Sequence, residues 1–110
     1  LKRLVKRTAL GLGREGSIAS NFSGDIFVAF STANAPGPAD SARTRVMMMA
    51  NERMDPLFGA TVEATEEAVT NAMIAAETMT GVDDLRVYAL PHTRLVEVMR
   101  KYNRLPGAGR

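Results

Sequence analysis

The sequence predicts an α/β chain that forms part of a larger layered fold. Three observations lead there. Helical stripes flank an extended stretch, that stretch is apolar on both faces, and the chain holds too few strands to cover it. A strand apolar on both sides lies between two layers and belongs to a wider sheet. Sheets usually have about four to six strands, and this chain offers two or three. The remaining strands are expected from another chain or from sequence upstream.

The elements follow in order. Residues 1–14 form an amphipathic helix, with Leu1, Leu4, Val5, Thr8, Ala9 and Leu12 on one stripe and basic residues opposite. Gly11 weakens this helix and Gly13 helps to end it. Residues 15–24, rich in Gly, Ser and Asn, read as a loop. Residues 25–33 read as a strand: Ile26, Val28 and Phe30 point one way, Phe27 and Ala29 the other. Residues 34–42, with two prolines and a glycine, are a loop. Residues 43–50 are a second strand, and their methionine run fits core packing better than metal or redox chemistry.

The strongest pattern is a helix over 56–80. Asp55 suits the N-cap and Pro56 the first helical position. Phe58, Val62, Thr65, Val69, Ala72, Met73 and Ala76 make its stripe, and Gly81 is its expected stop. Residues 85–89 suggest a short extended segment. A last helix spans 92–102, with Leu95, Val98, Met99 and Tyr102 on one side. The final LPGAGR reads as a loose tail. No internal repeat or long linker appears, so residues 1–110 are expected to be part of one domain rather than an independent one.

Composition narrows the function classes. The 110 residues are 45% hydrophobic and 24% charged, a globular balance. No apolar run approaches a membrane span. With no cysteine, the chain has no disulfide, thiolate metal site or cysteine nucleophile of its own. Net charge is +2, with Lys2, Arg3, Lys6, Arg7 and Arg14 massed before the first acid, Glu15. No aromatics interleave with them, so a solvated helix face is preferred over a nucleic-acid surface. No secretory signal pattern is visible. The expected compartment is the cytoplasm, with the periplasm as the alternative.

Few residues offer chemistry. His92 is the single histidine, and no set of metal ligands at matched spacing accompanies it. GLGREG, residues 11–16, resembles a dinucleotide loop only superficially, for no strand precedes it and no helix follows. Glu63, Glu66 and Glu67 lie on the polar side of a strong helix, where solvation explains them. Ser23-Gly24-Asp25 is the best local candidate. Residues i and i+2 at a strand entrance share a side, so Ser23 and Asp25 present a hydroxyl and a carboxylate together. Gly24 would admit another backbone closely. Spacing alone favours the plainer alternative, hydrogen bonding at the strand end.

Three blocks change that balance: SNFSGDIFVAFSTAN, DPLFGATVEATEEAVTNAMIAAETMTG and ALPHTRLVEVMRKY. Together, in order, they closely resemble the L-aminopeptidase/D-esterase and β-aminopeptidase family over nearly the whole chain. The resemblance implies an αββα sandwich and a self-cleaving hydrolase of the N-terminal-nucleophile type. The precursor would split into α and β subunits assembled as a tetramer of αβ heterodimers. The chain resembles the β subunit without its first strand, and the nucleophilic serine would lie upstream, so Leu1 is not the nucleophile. The family's S-G-D/E stretch carries over to Ser23 and Asp25 as active-site residues beside the nucleophile, with Gly24 near substrate. Asp25 stands where some relatives have Glu. The implied activity is release of N-terminal residues from small peptides, amides or esters, without metal or cofactor. Two rivals remain: a non-catalytic relative that binds a ligand or partner, and a self-processing acyltransferase with a threonine nucleophile.

Overall fold

The computed structural model describes residues 1–34, 42–43 and 45–105. The chain divides into two compact units, Leu1–Val69 and Thr70–Arg110. Among the described residues the elements are helices and one small antiparallel sheet.

The first unit is built on helix α1, Lys2–Arg14, and helix α2, Asp55–Ala75, which runs on into the second unit. On α1 the stripe contracts to Leu4, Val5, Thr8 and Leu12, half-buried around the buried Gly11, while Leu1 and Ala9 stay exposed. The facing residues on α2 are Phe58, Thr61, Val62, Thr65, Glu66 and Val69, a helical period that puts Val62 at the centre. The helices run in the same direction. Arg3 donates to Asn51 Oδ1 at 2.9 Å, Arg7 stacks on Phe58 at 3.8 Å, and Arg14 meets Glu66 at 3.2 Å.

Gly11 is where the helices touch. A Cβ placed there would stand 2.6 Å from Thr65 Cβ and 2.7 Å from the Val62 carbonyl oxygen. The residue that weakens the helix locally is therefore the one that lets α2 approach. Gly→Ala inside a helix ordinarily gains about 1 kcal/mol. Here the obstacles are the Thr65 Cβ and the Val62 carbonyl, neither of which can swing aside. Gly11→Ala is expected to reverse the sign and destabilise by about 1–3 kcal/mol. Denaturant midpoints of the full-length protein and this variant check it, and an unchanged or higher midpoint would refute the close contact.

The end of α1 is set by Gly16 rather than Gly13. Gly16 takes φ +97°, its N–H donates to Gly13 O at 3.1 Å, and the Ser17 N–H donates to Leu12 O at 3.0 Å. These two bonds define a Schellman cap, which needs a left-handed residue just past the helix. Gly13 lies within the helix.

The expected strands 25–33 and 43–50 are not formed. A strand is defined by backbone partners, and no ladder forms there among the described residues. Ile26, Val28 and Phe30 are 87, 82 and 83% exposed, while Phe27 opposite is half-buried. Thr44 lies outside the described residues, as does most of the expected loop 34–42. Asn34 ties residues 25–34 to residues 45–50. Asn34 Oδ1 accepts the Met47 N–H at 2.8 Å, and Asn34 Nδ2 donates to Met47 O at 3.2 Å. A short 3₁₀ turn, Asn51–Arg53, leads to α2. The Phe58 N–H donates to Met54 O, so Asp55 sits in the first turn of the helix rather than capping it.

In the second unit α2 stops at Ala75, not at residue 80. Met79–Thr80 forms strand β1, antiparallel to strand β2, Arg86–Val87, with Met79 opposite Val87 and Thr80 opposite Arg86. The helical stripe thus overran into a hairpin, and Gly81 serves that hairpin, its N–H donating to Leu85 O at 2.8 Å. Asp83 and Asp84 both take φ +57°, and the Leu85 N–H bonds Val82 O. That pairing of left-handed residues matches the twist of tight hairpins, where Asn-Gly is more usual. β2 accounts for part of the expected extended segment 85–89.

Helix α3, His92–Lys101, closes one residue before its expected end. Asn103 at φ +55° donates its N–H to Arg100 O, and the Arg104 N–H reaches Met99 O, a second Schellman cap. Its half-buried residues are Leu95, Val96 and Met99, while Val98 and Tyr102 are exposed. Of the tail, residues 106–110 lie outside the described residues. No described helix is long and apolar enough to cross a membrane.

Candidate functional site

Ser23 and Asp25 lie in the stretch that leaves the α1 cap. The turn over residues 20–23 closes with the Ser23 N–H donating to Ser20 O at 2.7 Å. Ser23 Oγ then donates to Asp25 Oδ2 at 2.9 Å. The two side chains that sequence spacing placed on one side do meet. Both are exposed, and no other donor reaches Asp25 among the described residues. The pair therefore offers a free carboxylate oxygen and the hydroxyl's lone pairs outward. Such a pair accepts hydrogen bonds from a cationic or neutral N–H group, and the ionised carboxylate makes those bonds strong. At Gly24 a Cβ would meet nothing within 4 Å. Among the described residues nothing closes on that side of Gly24.

His92 has a structural task. Its Nε2 lies 2.9 Å from Ile74 O. A carbonyl only accepts, so Nε2 carries the hydrogen. Ile74 belongs to the last turn of α2, whose carbonyls lack helical partners, and the imidazole supplies one.

The remaining candidates resolve in the same way. Glu66 pairs with Arg14, and Glu63 and Glu67 are exposed on α2. No group of three or more His, Asp or Glu able to hold a metal exists among the described residues. Gly11 and Gly13 of GLGREG lie inside α1, and Gly16 caps it. The basic face of α1 is partly engaged within the chain, since Arg3 and Arg7 both lie over the Phe58 ring, at 4.9 and 3.8 Å. Sequence reasoning missed that stacking because Phe58 lies more than fifty residues from Arg3, and nothing local reports it.

Sequence analysis also passed over Ser17 and Ala19. The Ala19 N–H donates to Ser17 Oγ at 3.3 Å, and Ala19 takes φ +47°. An alanine in the left-handed region gives no advance signal, since Gly and Asn are the residues expected there.

Comparison with known proteins places the chain first in a class, the peptidases. More narrowly, it belongs to peptidase family S58, whose profile matches residues 1–87. It is 49% identical over 109 residues to a β-peptidyl aminopeptidase, BapA, of Sphingosinicella microcystinivorans, covering 98% of this chain and 28% of that protein. Among solved structures it is similar to the L-aminopeptidase D-Ala-esterase/amidase of Ochrobactrum anthropi, with 48% identity and a TM-score of 0.83, covering 96% of this chain and 30% of that one. That protein is described as a prototype for the serine aminopeptidases and a new variant among the Ntn hydrolase fold. A β-aminopeptidase from Burkholderia sp. is 36% identical with a TM-score of 0.80, covering 94% of this chain and 31% of that one. The chain thus spans less than a third of the length of these relatives.

Proposed function

We propose that the protein to which this chain belongs is an aminopeptidase that also cleaves amides and esters, releasing N-terminal amino acids from small substrates. The observation that carries this reading is the 49% identity to a β-peptidyl aminopeptidase along nearly the whole chain. The Ser23–Asp25 pair supplies a matching piece of chemistry.

On this reading the nucleophile is a serine upstream of this chain, freed as a new N-terminus by self-cleavage. Its α-amine has an ordinary pKa of about 7.7–8.0, so it serves as a base near neutrality. It takes the proton of the adjoining hydroxyl as that oxygen attacks the acyl carbon. The acyl-enzyme forms as the amine or alcohol leaves, and water then hydrolyses it. Asp25, with one oxygen free of donors among the described residues, holds the α-amine by a charge-assisted hydrogen bond. Ser23, already bonded to Asp25, orients that carboxylate. Gly24 leaves room beside the pair for substrate backbone. Donors for the oxyanion come from segments outside this chain. The partner is an α subunit from the same precursor, which completes an αββα sandwich, and the pairs assemble as a tetramer of αβ heterodimers.

The test is a panel of L-, D- and β-amino-acyl p-nitroanilides and esters offered to the full-length, processed protein. Turnover of at least one class is expected, insensitive to chelators. No turnover of any member would remove the proposal.

A further inference from the structure

We propose that Ser17 and Ala19 are positioning residues that hold Ser23 and Asp25 as a ready-made pair. This rests on the reading of Ser23 and Asp25 given above, and it starts from the left-handed conformation of Ala19.

Ala19 takes φ +47°, where an L-residue's Cβ crowds its own carbonyl. Strain of this kind persists only where the surroundings impose it. Among the described residues no packing does so, since residues 17–24 are all exposed. What holds Ala19 is the Ser17 hydroxyl, which accepts its N–H at 3.3 Å. The same Ser17 is fixed on its other side, its N–H bonded to Leu12 O in the α1 cap. Beyond Ala19, Ser20 O receives the Ser23 N–H at 2.7 Å, and Ser23 Oγ reaches Asp25 at 2.9 Å. A succession of local hydrogen bonds thus runs from the last turn of α1 to the carboxylate. The left-handed step at Ala19 sends the chain into the 20–23 turn. Loop residues without core contacts ordinarily wander over many conformers, so this succession serves to limit the pair to a few. Positioning is valuable where a carboxylate has to meet one particular amine.

The experiment uses the full-length protein with Ser17→Ala, Ala19→Val and Ala19→Asn. Ser17→Ala removes the acceptor, and valine resists the left-handed region. Asparagine tolerates that region and serves as the conservative rescue. Two readouts are taken: hydrogen exchange at the Ser23 amide, and kcat and KM on whichever p-nitroanilide the wild type turns over. Ser17→Ala and Ala19→Val are expected to speed Ser23 exchange and to lower kcat, each by about tenfold or more, with KM and Tm nearly unchanged. Ala19→Asn is expected to match wild type in both. If Ala19→Val does not fold, Ser17→Ala decides alone. Unchanged Ser23 exchange would overturn the inference. So would faster exchange with wild-type kcat, or a kcat loss that merely tracks a fall in Tm. A wild type that turns over no substrate would sink the proposed function, and Ser23 exchange would still decide the positioning.

Discussion

Asp25→Asn in the full-length protein is expected to lose turnover by about 10²-fold or more while keeping its fold, the scale usual for a positioned acid–base group. The substitution keeps size and shape and removes the charge. Asparagine still accepts the Ser23 hydroxyl through its amide oxygen, so the 2.9 Å contact of the wild type can be kept. What it lacks is the carboxylate that attracts an ammonium and holds a neutral amine by its N–H. Asp25 is exposed and has no other partner among the described residues, so little stability rides on its charge within this chain. A large kinetic effect with a small stability effect is therefore the signature of the proposed role. Ser23→Ala should fall in the same direction by less, because it frees the carboxylate to rotate without neutralising it. Steady-state kinetics and thermal denaturation on both variants check this. Wild-type turnover in both would leave the pair as ordinary hydrogen bonding at a loop end.

What the sequence made legible follows from the range of the interactions involved. Helices report themselves locally, through periodicity and caps, and α1 and α3 lie within a residue of their expected ends. Even so, the glycine that ends α1 is Gly16, because a cap depends on a left-handed φ that periodicity does not encode. The stripe of α2 carries five residues past the end of the helix at Ala75 for a related reason. Ala76 continues the helical stripe, while the pairing of Met79–Thr80 with Arg86–Val87 that claims the next residues appears only once the chain is folded. The expected strands at 25–33 and 43–50 have the residue pattern of strands, but pattern is only half of a strand and the other half is a neighbour. At the site, the i, i+2 spacing did bring Ser23 and Asp25 together. The bend at Ala19 left no trace in the sequence, since an alanine there is the wrong residue for its backbone.

The isolated 110 residues are expected to show no cooperative thermal transition. Among the described residues Val62 is the single buried hydrophobic side chain, at 8% exposure. Burial of apolar surface is the main term opposing conformational entropy, and the balance is only about 5–15 kcal/mol even in a well-packed domain. One buried valine and the Gly11 contact between α1 and α2 leave that entropy largely unopposed. The apolar groove along Leu4, Leu57, Ala60, Ala64 and Ala68 tells the same story. Thr61 and Thr65 beside it bond the Leu57 and Thr61 carbonyls with their hydroxyls, leaving a surface with little reason to stay wet. The α1 and α3 helices should persist only partially, because their caps fix their ends without supplying a face to pack against. Expressed alone, the chain should therefore aggregate or show amide exchange close to that of an unfolded chain. Within the full-length protein, the same residues should gain strong protection at Val62, at Phe27 and in α2. Calorimetry and hydrogen exchange on the isolated and complete forms make the comparison. A sharp two-state transition from the monomeric 110 residues would show that the groove and the exposed Ile26–Val28–Phe30 face need no further cover.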